Sequence, residues 1–532
     1  MALDVPEGLR DGVPVPDGPD TGSGRPAGPG GPREPDGPYS PHGPETPAGP
    51  PAPAPAGVPR AALSRALAVP LVIALVGFLP AYVTAQPGTG QRDPAYWLQL
   101  ALTVYAGGRL SAMVLGRERR LIQGAFWLFA YVAMGVAPLA QLVIGQVPTP
   151  VVGPPSDTTS AIALVLTGCV AFDAGALPAG YRPAVRRTRR PRPQASVSRR
   201  RLWLLVAVAY AGSALCVVKL GGPAVFFSSR QGISESVRAG GLAGGAGDSH
   251  VGSAFVRGFG TVPALLALLF LIRWTVTSRV ARRTPAVLAA LAGLVAVNAV
   301  VNNPVSNPRY WFLTVVFSIV FTAFPRSPVA YRTALVAGVV VALLLFPFLD
   351  RYRYDSGGGH RVRSTSVLEP LTLKDYDQTG MFANTLTYAK AGSGHSHGRQ
   401  LAADVLFFVP RSVWHGKPLD SGVRVGRWMG MTNTNLSSPL WAELWLDFGP
   451  LGMTGGFVLV GYAAARGDRR YARRTLEGRP GTVAAVVVPV LAGYSFILLR
   501  GPLLQAAGRI GIALVCLALV STFSEDRRKI LR

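Results

Sequence analysis

The chain has 532 residues, 49% of them hydrophobic and only 15% charged, with a formal net charge of +26 and a mean hydropathy of +0.31. A soluble domain carries about a quarter charged residues, and charge at the centre of a bilayer costs at least roughly 2.5–3.5 kcal/mol per residue, so the deficit excludes an ordinary soluble protein and points to a membrane. The positive charge does not imply a nucleic-acid partner, because most arginines sit in short runs between apolar stretches and not along one amphipathic face.

In chain order, residues 1–60 come first, dominated by Pro, Gly, Asp and Ala. Such a segment buries too little apolar surface to offset chain entropy, and we expect a disordered cytoplasmic tail. It lacks the basic start and apolar run of a signal peptide. Residues 61–349 then hold nine apolar stretches long enough to cross about 30 Å of hydrocarbon. They fall near Leu67–Val83, Trp97–Val114, Leu121–Ile144, Ala161–Ala179, Leu202–Leu220, Phe255–Ile272, Ala286–Val301, Tyr310–Phe324 and Thr333–Leu349. Residues 350–440 are polar by comparison. Residues 441–532 give three more stretches, Trp441–Ala464, Val483–Leu499 and Leu503–Phe523, and a basic tail.

The expected fold is therefore an all-α polytopic membrane protein of about twelve transmembrane helices, with a large extracytoplasmic loop between helices nine and ten. Charge tests the count. With the N-terminus in the cytoplasm, the clusters at Arg117–Arg120, Arg186–Arg201, Arg279–Arg283, Arg326–Arg332, Arg469–Arg474 and Arg527–Lys529 all land on one side, and an error of one helix breaks the alternation. Both termini are then cytoplasmic. Arg far outnumbers Lys, and Ala, Gly and Pro are abundant, as in a GC-rich bacterial genome. Cys169, Cys216 and Cys516 all fall inside apolar stretches and read as small buried hydrophobes, with no disulfide or metal spacing.

Two outer loops are long, about 221–253 and 350–440. In the second, Leu373–Tyr388 reads as an amphipathic helix on the membrane surface and Leu401–Val409 as another. These loops hold charges that orientation alone does not explain: Arg230 and Arg238 in the first, and Asp350, Arg351, Arg353 and Asp355 at the start of the second. Asn302, Asn303, Asn307 and Arg309 fill a tight turn between them. Toward the end of the second loop come Arg411, His415 and Lys417, bracketed by Pro410 and Pro418. Lone arginines at helix ends snorkel to lipid phosphates. Three donors within seven residues, stiffened by proline, read instead as a polyanion site, with Arg offering a planar fork to phosphate oxygens and Lys a point charge. Histidine titrates near neutrality, which makes His415 a candidate base; the alternative is an ordinary loop histidine. Glu443 opens the tenth apolar stretch, where an ionisable group is a functional candidate and otherwise a helix-end acid paired to a nearby Arg. His395 and His397 lie in a Gly-Ser-Gly-His-Ser-His-Gly run that reads as flexible loop, without the further ligands a metal site needs.

The many helices with a large loop before the last few, the run Pro410-Arg411-Ser412-Val413-Trp414 followed by Lys417-Pro418, and Glu443 with Asp447-Phe448-Gly449 resemble the Wzy-type oligosaccharide repeat-unit polymerases, within the group of O-antigen polymerases and ligases. So does a glycine eleven positions after an arginine in each long loop, Arg230 with Gly241 and Arg411 with Gly422. The topology match covers the membrane region, and the motif match covers Asp377 to Gly452 and the Arg230 loop; the Pro-rich tail lies outside the family pattern. The resemblance implies a membrane glycosyltransferase without cofactor or metal. Its substrates would be undecaprenyl-pyrophosphate-linked oligosaccharides, and its partners membrane lipids, a chain-length regulator and a flippase. His415, Glu443 and Arg411 would be catalytic, and Arg230, Arg238, Arg309, Arg351, Arg353 and Lys417 would hold pyrophosphate or sugar. Three rival readings are a ligase on the same scaffold, a flippase or transporter of lipid-linked sugars, and a scaffold whose Pro-rich tail binds partners.

Overall fold

The computed structural model describes residues 69–116, 118–181, 194–227, 249–305, 307–345, 368–372, 374–432, 434, 436–476 and 482–524. Among these residues, eight helices are long and apolar enough to cross a membrane, and four shorter apolar helices accompany them. We number all helices in chain order. The first nine are α1 (Val69–Thr84), α2 (Pro94–Leu115), α3 (Leu121–Ile144), α4 (Pro155–Tyr181), α5 (Arg199–Lys219), α6 (Ser249–Thr277), α7 (Pro285–Val301), α8 (Arg309–Ala323) and α9 (Pro328–Leu345). Three helices of the loop follow, α10 (Gln378–Tyr388), α11 (Arg399–Val405) and α12 (Ser421–Trp428). The last three are α13 (Leu440–Leu476), α14 (Ala484–Arg500) and α15 (Leu503–Val520). A short antiparallel pair, β1 (Gln194–Val197) with β2 (Ser521–Ser524), ties the start of α5 to the end of α15.

Helix starts follow local chemistry. Asp93 accepts from Tyr96 N at 2.9 Å ahead of Pro94 at the first position of α2, and Ser327 accepts from Ala330 N at 3.1 Å ahead of Pro328 in α9. A side-chain acceptor satisfies an orphan N–H there, and proline lacks the N–H that would go unpaired. In lipid the hydrophobic effect gives helices no reason to associate, so close packing must do so. Accordingly α4 and α13 meet at small residues. A Cβ on Gly175 would lie 1.9 Å from the Val458 carbonyl oxygen, and one on Gly461 would lie 2.0 Å from that of Phe172. Phe126, Phe172, Trp441 and Phe457 stack into the aromatic centre beside this contact.

The bundle has two distinct ends. At one, Asp468 of α13 accepts from Ile122 N and Gln123 N, Tyr331 donates to Arg120 O, and Tyr471 donates to Phe321 O. Arg119, Arg326, Arg469 and Arg470 belong to these same connections and helix ends. At the other end the starts of α4, α8, α13 and α15 meet the loop helices. Here α13 breaks: Gly449 has φ +68° and ψ −169°, followed by Pro450. An L-residue rarely adopts that backbone and proline cannot donate into the helix, so the Gly-Pro pair divides α13 into two pieces.

α10 is a helix within the expected segment, but it does not lie on a membrane surface. Met381, Phe382, Asn384 and Leu386 are all buried, and the helix packs against α4 and α13. The sequence shows its polar residues as if they faced water, whereas they face the protein. Asn384 accepts from Val152 N and donates to Pro150 O, both at 2.9 Å. Thr387 and Lys390 bind the Asp157 carboxylate. Gln141 of α3 holds the preceding turn through the carbonyls of Leu371 and Tyr376.

Candidate functional site

The loop-bearing end gathers most of the chemistry-bearing residues that are described. Its floor is an ion-pair cluster. The Arg309 guanidinium pairs with Asp375, and Arg500 reaches the same carboxylate at 3.9 Å while lying 5.4 Å over the Tyr310 ring. Asp377, two residues on, accepts from Ser437 N and Oγ. Burial pushes the Asp377 carboxyl above its ordinary value, against the opposing pull of Arg500. Arg309, expected to meet substrate, is instead buried and committed to Asp375, which fastens the loop to the start of α8.

Above this floor, Asp447 of α13 caps α11. Its carboxylate accepts from Gln400 N at 3.1 Å, Leu401 N at 2.7 Å and Ser396 Oγ. The His-containing run is seated here: the His395 ring lies 4.8 Å from Trp445, next to the break at Gly449. The chain then turns through residues 406–420, which two cations brace. Lys417 Nζ donates to the carbonyls of Leu406, Phe407 and Val409 at 3.0, 2.8 and 2.9 Å, which accounts for all three of its protons. Burial and the nearby Arg411 hold its pKa below the ordinary lysine value. Arg411 donates to the carbonyls of Lys417 and Pro418 at 2.7 and 3.1 Å. Between these residues His415 is exposed.

Beneath the turn lie three buried carboxyl groups. Glu443 Oε1 accepts from Ser421 Oγ and from Leu503 N at 3.3 Å, and Asp420 caps α12 through Gly422 N and Val423 N. Gln400 Nε2 is 3.5 Å from Asp404, and Arg424 links Gln400 to Tyr388. Asp404 Oδ2, Asp420 Oδ2 and Glu443 Oε2 are each buried with no hydrogen-bond partner among the described residues. The Asp404 carboxyl is pushed up to about 7, by burial first and then by the Asp420 and Asp447 charges. Burial pushes Asp420 up to about 6. Burial without a matched cation favours the protonated form, so Asp404 titrates near neutrality and Asp420 somewhat below it. Gly422 matters here by space: a Cβ would lie 2.5 Å from the Leu436 carbonyl oxygen.

Of the residues singled out from sequence, Arg411, His415, Lys417 and Glu443 therefore share one end of the fold, and Arg309 lies in its floor. Arg230, Arg238, Arg351 and Arg353 lie outside the described residues. Sequence reasoning missed Asp404, Asp420 and Arg500. Asp404 sits on a seven-residue helix whose period is too short to read, and Asp420 carries a helix-start signal that a reader takes for a cap alone. The helix break had a visible sign in the Gly449-Pro450 pair. Among the described residues no group of three or more His, Cys, Asp or Glu side chains is arranged to hold a metal ion. No protein-family model, curated protein or solved structure matches the chain.

Proposed function

We propose that the chain polymerises lipid-linked oligosaccharide repeat units at the loop-bearing end of the bundle, passing glycan from undecaprenyl pyrophosphate to a sugar hydroxyl. In this reading it spans a bacterial cell membrane twelve times with both termini in the cytoplasm, and residues 350–440 form the loop on its outer side between helices nine and ten. One observation carries the reading: the exposed imidazole of His415 belongs to a turn braced by the two cations Arg411 and Lys417, at the end of the fold that also holds buried carboxyls with unpaired oxygens.

The acceptor hydroxyl attacks the anomeric carbon of the donor, the bond to pyrophosphate breaks, and its electron pair leaves on the pyrophosphate oxygen. The hydroxyl proton goes to His415, which a sugar can reach without displacing protein, whereas Glu443 is 3% exposed. Lys417 spends all three donors on main-chain carbonyls but keeps its charge, so it stabilises the departing pyrophosphate through the field, while Arg411, with two of its five N–H groups on carbonyls, joins Arg230, Arg238, Arg351 and Arg353 as a candidate for direct contact. Glu443 holds α12 against the start of α15 and shapes the floor under the reacting groups.

Removing the gene and following lipid-linked precursors by mass spectrometry tests this. Single repeat units should accumulate on the outer-leaflet carrier as long polymer disappears. Polymer of normal length retained on the carrier would overturn polymerisation in favour of a ligase. A second reading, transport of lipid-linked sugars, draws on the broken α13 and on an ion pair among the spans, where Arg109 meets Asp173 at 2.6 Å with Tyr105 on the same carboxylate. It predicts precursors trapped on the inner leaflet.

A further inference from the structure

The brace in the loop has a use that does not depend on the chemistry above. Lys417 is 8% exposed, yet it carries a full charge into the protein only to reach three carbonyls of its own turn. In water those carbonyls would be satisfied by solvent, and nothing would be gained by burying a lysine. Irregular backbone is tolerated at membrane depth only where its polar groups are satisfied internally. The turn meets that condition more widely: Arg411 covers the carbonyls of Lys417 and Pro418, and Val409, Val413, Trp414 and Lys417 donate their N–H groups back into the turn at 3.0–3.1 Å.

Depth can be read from α15. The Phe407 ring seats on Gly511, where a Cβ would lie 2.5 Å from its Cζ. Gly511 lies eight residues into an 18-residue apolar helix, about 12 Å along a length of about 27 Å. The tip of the turn therefore reaches toward the middle of a span. Its remaining apolar side chains have no cover: Val405 is 65% exposed, Phe408 68% and Val413 73%. Leu514 and Val515, one turn beyond Gly511 on α15, are apolar and exposed in the same way. Polar groups follow the apolar stretch: His415 is exposed, Arg399 donates to Gly416 O, and on α12 Arg427 is exposed.

We infer that Val405–Trp414 is a re-entrant wedge whose apolar tip sits among the acyl chains of the bilayer. The occupant of the open face is lipid hydrocarbon, continuous with the lipid around α15. Arg411 and Lys417 are what make the insertion possible, because they supply the donors that water supplies to an ordinary loop.

The test uses the full chain in lipid nanodiscs with a nitroxide attached at Phe408→Cys and, separately, at Val413→Cys. The three native cysteines are buried, so the unsubstituted protein sets the labelling background. Both sites are exposed in the protein, which makes the substitutions mild. Collision with dissolved oxygen, which concentrates in hydrocarbon, should exceed collision with a water-soluble nickel chelate several-fold at both sites, and the order should reverse at Arg427→Cys. Greater access to the chelate at both sites would overturn the inference by placing the turn in water. Low access to both reagents would overturn it by placing a second protein surface there.

Discussion

α13 carries buried acids at both ends of the bundle, and they are used differently. Asp468 and Asp447 lie about 30 Å apart along α13. Each caps a distant helix with both carboxylate oxygens: Asp468 through Ile122 N, Gln123 N and Gln123 Nε2, Asp447 through Ser396, Gln400 and Leu401. One turn before Asp447, Glu443 engages a single oxygen and leaves the other bare in the interior. The basic end spends its buried carboxylate wholly on architecture. The loop end keeps unspent carboxyl oxygens, and the comparison teaches that satisfaction, more than burial or charge, separates a structural acid from a candidate for chemistry.

The largest effect should come from breaking a completed cap. Asp468→Ala strips three donors in the interior and should cost about 3 kcal/mol, seen as a lower thermal midpoint in detergent. Next comes the loop brace. Lys417→Met keeps the stem but leaves the Phe407 and Val409 carbonyls without a donor and Leu406 with Val409 N alone, and should cost about 2 kcal/mol, with faster proteolysis between residues 405 and 420. An unchanged midpoint and digestion pattern would mean that water already serves those carbonyls.

An effect of pH is expected as well. Asp404 and Asp420 have folded values near 7 and 6 against about 3.8 for a free aspartate, so the folded chain holds more protons between these values than the unfolded chain. Their contribution is therefore most favourable below about pH 4 and is lost as pH rises through about 6 to 7. Thermal midpoints at pH 5 and pH 8 should differ in that direction, and replacing both residues by Asn should flatten the difference. Smallest of all is the exposed imidazole: His415→Ala should change stability by less than about 0.5 kcal/mol. Any loss of activity in that variant then reports chemistry, not folding.

The spans were readable because their information is local. Leu121–Ile144 has the same ends in the structure as in the hydropathy pattern, and Cys169, Cys216 and Cys516 are buried as expected. The loop was less legible. The tendency of α10 to be helical is in its sequence, but its burial depends on Pro150, Val152 and Asp157, more than 200 positions away. Arg411 and Lys417 were legible as a cluster of donors near a turn. That their acceptors are carbonyls of the same turn depends on a fold that brings residues 406–409 back over 417, and no residue pattern states it. Arg309 was legible as a charge at a tight turn but not as the partner of Asp375, 66 positions later.

The most direct test of the account is reconstitution. Purified chain in lipid vesicles should be given an oligosaccharide on undecaprenyl pyrophosphate, with no nucleotide sugar, and the lipid-linked products sized. The account predicts products in multiples of the starting unit, free lipid pyrophosphate released in step, and neither from His415→Ala protein whose thermal midpoint is unchanged. Full extension by that variant would remove His415 as the base, and movement of the unextended unit across the bilayer by the parent chain would contradict polymerisation itself.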